Sequence, residues 1–356
     1  MEDIIKILVV LLLEGAALLL ILVGITLLYE VLRALGIKKL EYKRYFSEVG
    51  VFEGESLEMI EEVTNHAFFP MLRVDVESYV TSKIRMEGCE ERNEVMQHFV
   101  SRFPVVMPFT TIRRKHPCKA EKRGYYRLES AKMMFADYDM FLQSEAELYI
   151  YPRELSLQEE ETFHRYLQYN AASKLPIIAD RFAFAGVREY RTTDALGAVN
   201  FKATAKYGQL MVNEPEYLMG RQVKIYVNFE PADGLDLNEF RERMERALNY
   251  VSHAFTKAFR EGNRFGFGAN CRTETGDYYS NVPLGTGFVH YTELLKELAK
   301  VQSYFGNSFV SVIDMDLYKS IRCAEVYLLT SYVDEGIENR IERLQQLGNT
   351  VRVVQV

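Results

Sequence analysis

Residues 222–269 read QVKIYVNFEPADGLDLNEFRERMERALNYVSHAFTKAFREGNRFGFGA. Val223, Ile225, Val227 and Phe229 alternate with polar or smaller partners, the period-two pattern of a strand. Asp236 stands where a helix would begin, with Glu239 three residues on, as in a capping box. Leu237, Phe240, Met244, Leu248, Val251, Phe255 and Phe259 then fall on one helical stripe, and Gly262 is a natural C′ stop. Phe265–Ala269 is again of strand character. A strand, a long helix and a second strand make a crossover unit, which places the two strands parallel.

The chain beyond continues the alternation. A helix is expected near Leu294–Tyr304, closed by Gly306, and a last helix from Asp334 through Ile337, Ile341, Leu344 and Leu347 to Gly348. Phe309–Ile313 and Val326–Leu329 are apolar runs of strand length, and Val351–Val356 ends the chain as a strand. Residues 221–356 therefore read as an α/β domain with a parallel sheet covered on both faces. Such sheets bind ligands at the carboxyl ends of their strands.

Toward the N-terminus the pattern changes. Leu72, Val74 and Val76 alternate with Arg73, Asp75 and Glu77, and Leu148 and Ile150 alternate before Pro152. Between them Pro104 and Pro108 interrupt Val100, Phe103, Val105 and Phe109, as edge strands or bulges do. Residues 40–152 are expected to form an antiparallel, immunoglobulin-like β-sandwich. A connecting stretch, 153–220, holds a helical pattern at 156–175 through Leu157, Phe163, Leu167 and Ala171. The chain as a whole is expected to be a multidomain α+β protein.

The N-terminus is apolar. Ile7 to Tyr29 is 23 residues with one charge, Glu14, and includes ten Leu and six Ile or Val. As a helix it extends about 34 Å at 1.5 Å per residue, enough for a hydrocarbon core of ~30 Å. Sixteen such side chains at roughly −0.3 to −0.6 kcal/mol each outweigh one acid at about +3 kcal/mol. The start Met1-Glu2-Asp3 is not basic, and no A-x-A site follows, which argues against a cleaved signal peptide. Residues 4–33 are expected to be a single-pass transmembrane anchor. Arg33, Lys38, Lys39, Lys43 and Arg44 flank its C-terminal side, so the positive-inside rule places the N-terminus outside and the bulk of the chain in the cytoplasm of a cell membrane. Glu14, beside Gly15, Ala16 and Ala17, is either a contact for a partner helix or an acid without a role.

Composition narrows the function. The chain has 356 residues, 43 Lys+Arg against 50 Asp+Glu, and a formal charge of −7. This excludes disorder and collagen and gives no footprint for nucleic acid. Cys89, Cys118, Cys271 and Cys323 lie far apart, as suits free thiols in a reducing compartment. No H-E-x-x-H holds any of His66, His98, His116, His164, His253 or His290, and neither G-x-S-x-G nor G-x-x-x-x-G-K-[ST] occurs. Gly262, Gly266 and Gly268 precede a strand and have the wrong spacing for a phosphate loop. No catalytic residue and no cofactor are expected.

The most unusual stretch is 186–214, where Arg188, Arg191, Lys202 and Lys206 crowd around Tyr190, Phe201 and Tyr207 against only Glu189, Asp194 and Glu214. It is either a structural turn whose charges pair and join two domains, or a docking surface for an acidic partner.

This stretch resembles the signature of the domain of unknown function 58 family, G-x-R-E-Y-x-x-x-D followed by I-x-W-K-x-[ST]-A-R. It stands here as Gly186 to Asp194 around Arg188-Glu189-Tyr190, then Val199 to Lys206 around Phe201-Lys202. Arg123-Gly124-Tyr125-Tyr126 is similar to the family's R-G-x-Y segment, Ile150-Tyr151-Pro152 to its V-Y-P strand end, and Glu53-Gly54-Glu55 with Asn65 to its G-E…N pattern. Phe201 replaces the usual Trp, Lys206 the usual Arg, and Gly197-Ala198 a basic pair, while D-P-F-G-L is reduced to Asp137-Tyr138-Asp139-Met140-Phe141, as in a divergent member. The resemblance implies a membrane anchor, a C-terminal domain similar to von Willebrand factor A domains (a Rossmann-like fold), and partnership with a MoxR-type AAA+ ATPase. It also implies a partner-binding role for Arg188, Glu189, Tyr190, Asp194, Lys202 and Lys206.

A metal-binding A domain needs Asp-x-Ser-x-Ser after its first strand, because hard cations take grouped oxygen ligands. Here Asn228-Phe229-Glu230-Pro231-Ala232 stands there with neither hydroxyl, so Asn228 and Glu230 mark a degenerate position and no metal is expected; Asp314 and Asp316 could in principle offer ligands, but their spacing proves nothing. The expected function is that of a non-catalytic, membrane-anchored adaptor or scaffold. The alternatives are a metal-dependent A-type binding module and a hydrolase with an unrecognised site.

Overall fold

The structure is a computed structural model that describes residues 2–87, 89–91, 96–135, 138–156, 158–159, 184–191, 199–215, 221–319 and 321–356. The chain divides into two units, residues 1–122 with 126–148, and residues 123–125 with 149–356.

The first unit opens with α1 (Glu2–Ile37), 36 residues long. Its stretch Leu11–Ile37 is long and apolar enough to cross a membrane, and its most apolar 18-residue window has no residue buried in protein. The last turn behaves differently. A Cβ on Gly36 would stand 2.6 Å from the Phe69 ring, and Ile37 packs on the sandwich core. Gly thus allows the helix end to lie directly on the sheet.

Ten strands follow: β1 (Leu40–Phe46), β2 (Gly50–Phe52), β3 (Ser56–Asn65), β4 (Met71–Thr81), β5 (Ile84–Met86), β6 (Glu90–Glu91), β7 (Met96–Val106), β8 (Thr111–Ala120), β9 (Gly124–Phe135) and β10 (Tyr138–Tyr151). They form a four-stranded sheet, β1-β3-β8-β5, and a six-stranded sheet, β2-β10-β9-β4-β7-β6. The pairs β1–β3, β3–β8, β5–β8, β4–β7 and β4–β9 are antiparallel. Leu40, Tyr42 and Val63 of one sheet meet Val74, Val76, Phe103 and Met133 of the other in a shared core, the arrangement of a β-sandwich.

One expected alternation slips. Leu72 is exposed, whereas Val74, Val76 and Val80 are buried. Arg73 has φ 52° and stands opposite Pro104, at the one gap in the β4–β7 pairing. Pro has no N–H to give, and the left-handed residue opposite reverses which side chains face inward.

In the second unit β11 (Phe184–Glu189) pairs antiparallel with β12 (Met211–Pro215), and α2 (Phe201–Tyr207) lies between them in sequence. The rest is β13 (Gln222–Val227), α3 (Leu237–Arg260), β14 (Arg264–Ala269), β15 (Cys271–Thr273), β16 (Ser280–Gly285), α4 (Phe288–Lys300), β17 (Val301–Phe305), α5 (Phe309–Tyr318), β18 (Glu325–Thr330), α6 (Glu335–Gln346) and β19 (Thr350–Gln355). The main sheet has the order β16-β14-β13-β18-β19. β14, β13, β18 and β19 run parallel, and β16 is an antiparallel edge. One face packs Tyr226, Val326 and Leu328 against α5 and α6. On the other, Phe255 of α3 stacks on Phe265 at 5.6 Å, and Tyr291 of α4 meets the same ring edge-on.

The helix expected from Asp236 is α3. Asp236 accepts from the N–H groups of Asn238 and Glu239 at 2.8 and 3.0 Å, but Glu239 turns outward to Arg243, so only half of the capping box forms. Two expectations are corrected. Phe309–Ile313 is the start of a helix, not a strand: Phe309, Val312, Ile313 and Asp316 are its buried positions, a helical spacing that a five-residue window hides. The helix expected to reach Tyr304 ends at Lys300, and Val301–Phe305, rich in β-branched and aromatic residues, pairs with β15 as strand β17. The helical pattern of 156–175 lies almost wholly outside the described residues.

Candidate functional site

Two places in the second unit hold the residues singled out by sequence. The first is the signature segment. Arg188 and Glu189 end β11, and the Tyr190 N–H donates to the Leu210 carbonyl at 2.9 Å. Asn200 caps α2, its side chain accepting from the Ala203 N–H at 3.0 Å, and the Asn200 N–H donates to the Met211 carbonyl. The Met211 N–H in turn donates to the Thr204 hydroxyl at 3.0 Å, which fixes the helix against β12. Hairpin and helix therefore form one small body carrying Arg188, Glu189, Tyr190, Lys202 and Lys206. Asp194 lies outside the described residues.

The helix faces outward. Phe201 is 78 % exposed and Tyr207 59 %, and Lys202 and Lys206 are exposed as well. Lys206 lies over the Tyr207 ring at 5.4 Å. Among the described residues neither lysine has a carboxylate at ion-pair distance. Glu189 accepts from Gln209 at 2.7 Å, and Arg188 donates to the Glu189 carbonyl at 3.0 Å. Basic and aromatic side chains thus share a solvent-facing surface, held by hydrogen bonds of the backbone, Asn200 and Thr204 in which neither lysine takes part.

The second place is the carboxyl end of the parallel sheet. Asn228 follows β13, Asn270 follows β14, and Thr330 ends β18. Asn228 Oδ1 accepts from the Glu230 N–H at 3.0 Å and from Asn270 Nδ2 at 2.9 Å, while its Nδ2 donates to Thr330 Oγ1 at 3.0 Å. Asn270 Oδ1 accepts from the Phe229 N–H at 2.7 Å, and Ser331 Oγ accepts from the Ala232 N–H at 3.1 Å. Asn228 and Asn270 are fully buried. The oxygen that would face a cation is occupied by two N–H donors, so the arrangement ties three strand ends together and offers no lone pair outward. Beside it, burial and then the Glu230 carboxylate push the Tyr332 hydroxyl up to about 12. Among the described residues no group of three or more His, Cys, Asp or Glu could hold a metal.

Asp314 and Asp316 lie on a helix and are engaged elsewhere. Asp314 accepts a two-pronged contact from Arg340 at 3.0 and 3.1 Å. Asp316 is buried with Lys224 at 2.7 Å and accepts from the Tyr226 hydroxyl at 2.7 Å. Lys224 in the middle of an apolar strand was the legible signal for this cluster, since a buried lysine needs a counter-charge. Gly268 has a packing role: a Cβ there would stand 2.5 Å from the Tyr226 ring. All four cysteines are free, with Cys118 and Cys271 buried.

Comparison with known proteins adds little. No family model matches the chain, and no curated protein matches it. Among solved structures, the CARDB domain of a Pyrococcus furiosus protein is 12 % identical, covering 32 % of this chain and 94 % of its own at a TM-score of 0.22. The cupredoxin domain of amoB from Nitrosocaldus yellowstonii is 9 % identical over 34 % of this chain and 94 % of its own, at 0.23. The seventh ScaB type I cohesin from Pseudobacteroides cellulosolvens is 10 % identical over 33 % and 95 %, at 0.21. At these scores no argument about fold or function rests on them.

Proposed function

We propose that this protein is a non-catalytic, membrane-anchored adaptor or scaffold, a divergent member of the domain of unknown function 58 family. On this reading it works with a MoxR-type AAA+ ATPase, and its bulk lies in the cytoplasm. The C-terminal α/β unit then corresponds to a von Willebrand factor A-like domain whose metal position is degenerate. The observation that carries the reading is the exposed basic and aromatic surface of α2 beside Arg188. Of the two interpretations of this stretch, this supports docking over a structural turn, because neither lysine has an ion-pair partner among the described residues. Asn228, with both acceptor positions of its oxygen used internally, weighs against a metal-dependent binding module.

The test is co-purification of the full chain from membranes with a co-expressed ATPase of this type. Lys202→Glu and Arg188→Glu are expected to abolish capture while leaving α2 and the main sheet folded. Folded variants that still capture the ATPase would place the docking surface elsewhere and remove the basis of this reading.

A further inference from the structure

The first unit carries an apolar tip beside α1 that the adaptor role does not use. Its interpretation rests on the proposal that α1 crosses a bilayer. β3 ends at Asn65 and β4 begins at Met71, while β7 ends at Val106 and β8 begins at Thr111. Thr64 pairs with Thr111 and Met71 with Val106, so the loops 66–70 and 107–110 lie at one end of the sandwich. This is the end where α1 arrives. Gly36 lies against the Phe69 ring, and the His66 N–H donates to the Lys39 carbonyl at 3.0 Å.

Asn65, fully buried, holds both loops in shape. Its Nδ2 donates to the Phe69 and Val106 carbonyls at 2.9 and 3.0 Å, and its Oδ1 accepts from the Ala67 N–H at 2.8 Å. Its own N–H donates to the Thr110 carbonyl at 2.9 Å. Pro70 and Pro108 restrict the loops further. What this frame displays is apolar. Phe68 is 65 % exposed, Met107 56 % and Phe109 73 %. Leu72 and Val105, opposite each other on β4 and β7, are exposed just behind them. Phe109 also stands at φ 53°, a conformation that favours glycine, in the turn that joins β7 to β8. Backbone strain is thus spent on holding a bulky ring in the open, which points to a use for the ring outside the fold.

The position relative to α1 says which surface it meets. The apolar run ends at Tyr29, so Gly36 lies about 10 Å further along the helix at 1.5 Å per residue. The headgroup layer is roughly 5–8 Å deep on each side of a bilayer. An anchor end this close to the lipid brings the neighbouring loop tips within reach of it. Lys38 and Lys39 are exposed at the same end, and among the described residues neither has a carboxylate at ion-pair distance. Glu41, next along β1, is already paired with Lys43 at 2.6 Å and with His66 at 3.1 Å.

We propose that this tip is a second membrane contact: Phe68, Met107 and Phe109 rest in the headgroup layer of the bilayer that α1 crosses, with Lys38 and Lys39 on the phosphates of anionic lipids. Exposed rings beside lysines suit a layer that is apolar on one side and negatively charged on the other.

The chain contains no Trp, so single substitutions give sole reporters. Phe68→Trp and Phe109→Trp sit at the tip, Val49→Trp beyond the opposite end of β1, and Leu18→Trp within α1. Each full chain is reconstituted in phosphatidylcholine–phosphatidylglycerol vesicles doped with lipid that carries a nitroxide quencher, either on the headgroup or near the end of the acyl chain. Headgroup nitroxide is expected to quench both tip reporters and to leave Val49→Trp unchanged, and the tip emission is expected to lie to the blue of Val49→Trp. Acyl-chain nitroxide is expected to quench Leu18→Trp. Tip reporters quenched no more than Val49→Trp, with Leu18→Trp quenched, overturn the membrane contact and leave the anchor intact. An unquenched Leu18→Trp overturns the anchor and the contact together. Phe109→Gly, which suits the turn, is added to the Phe68→Trp chain to separate this role from a structural one. It is expected to lower the quenching of Phe68→Trp without lowering stability to urea; lost stability with unchanged quenching makes the ring structural and overturns the proposal.

Discussion

The buried pair Lys224–Asp316 makes a strong demand on the stability of the second unit. Lys224 is 1 % exposed and Asp316 4 %. Lys224 Nζ contacts Asp316 Oδ2 at 2.7 Å and donates to Asn281 Oδ1 at 2.7 Å and to the Val282 carbonyl at 2.9 Å. It thereby joins α5, β13 and the antiparallel edge β16. Lys224→Met leaves the Asp316 charge, among the described residues, with only the Tyr226 hydroxyl and takes the lysine donor from Asn281 Oδ1 and the Val282 carbonyl of β16. Breaking a buried pair in this way costs about 3–5 kcal/mol. The double change Lys224→Met with Asp316→Leu removes both charges and is expected to be less damaging than Lys224→Met alone. Tyr226→Phe deletes one bond to a charged acceptor and should cost about 1.5–3 kcal/mol. Hydrogen exchange by mass spectrometry in the full chain reads this locally, on peptides from β13 and β18. Protection there should fall between roughly a hundredfold and a few thousandfold for Lys224→Met, at about 1.4 kcal/mol per tenfold. A loss below tenfold, or a double variant as unstable as the two singles summed, would refute the reasoning.

Other consequences are more local. Asn228→Ala takes the Asn228 acceptor from the Glu230 N–H and Asn270 Nδ2, and one of several partners from Thr330 Oγ1, and should destabilise the sheet by about 1–3 kcal/mol in the same exchange experiment. Calorimetry with Mg²⁺ or Mn²⁺ on the full chain should show no micromolar binding; a micromolar site lost in Glu230→Ala would contradict the hydrogen-bonded role of Asn228. Burial holds the hydroxyls of Tyr327 and Tyr332 up to about 12, with Glu325 and Glu230 adding to it. Their folded values exceed the unfolded value near 10, so their stabilisation is complete below pH ~10 and is lost as pH rises toward 12. In that window, urea should raise the phenolate absorbance of a native sample. Burial also pushes the thiols of Cys118 and Cys271 up to about 11 and 12. Maleimide at neutral pH should label Cys323 and Cys89 first and reach the other two only on unfolding.

Much of the fold was legible because long periodic segments leave few readings. The seven apolar positions of α3 specify a helix, and the Asp236 cap and Gly262 set its ends. The errors came from short runs. Phe309–Ile313 is apolar enough for either state, and its buried set becomes visible only when Asp316, a polar residue, is counted as inward. Val301–Phe305 was absorbed into the preceding helix because its pairing with β15 is non-local. Leu72 lost its place through the left-handed Arg73, which no alternation rule anticipates in a residue with a long side chain. The candidate site divides similarly. The described residues of the signature lie together because the hairpin is local in sequence. The Asn228–Asn270–Thr330 lattice spans about a hundred residues and depends on strand order, which sequence alone does not state. The ion pairs of Glu325 with Arg221 and Arg352 were hidden for the same reason.

The turn after α1 has a mechanical consequence. Only Lys38 and Lys39 separate the helix from β1, the Lys39 N–H closes on the Gly36 carbonyl at 2.8 Å, and Gly36 lies against the Phe69 ring. A flexible leash of n residues wanders about 5–6 Å × √n and lets a domain search a hemisphere of its own choosing. This two-residue link gives the sandwich no such search volume. In a bilayer, the standoff and the azimuth of the sandwich would be set by the helix itself, so that tilting or turning α1 in the lipid moves the sandwich as a lever moves its arm. A partner in the same membrane would then meet a surface at constant height, by lateral diffusion in two dimensions.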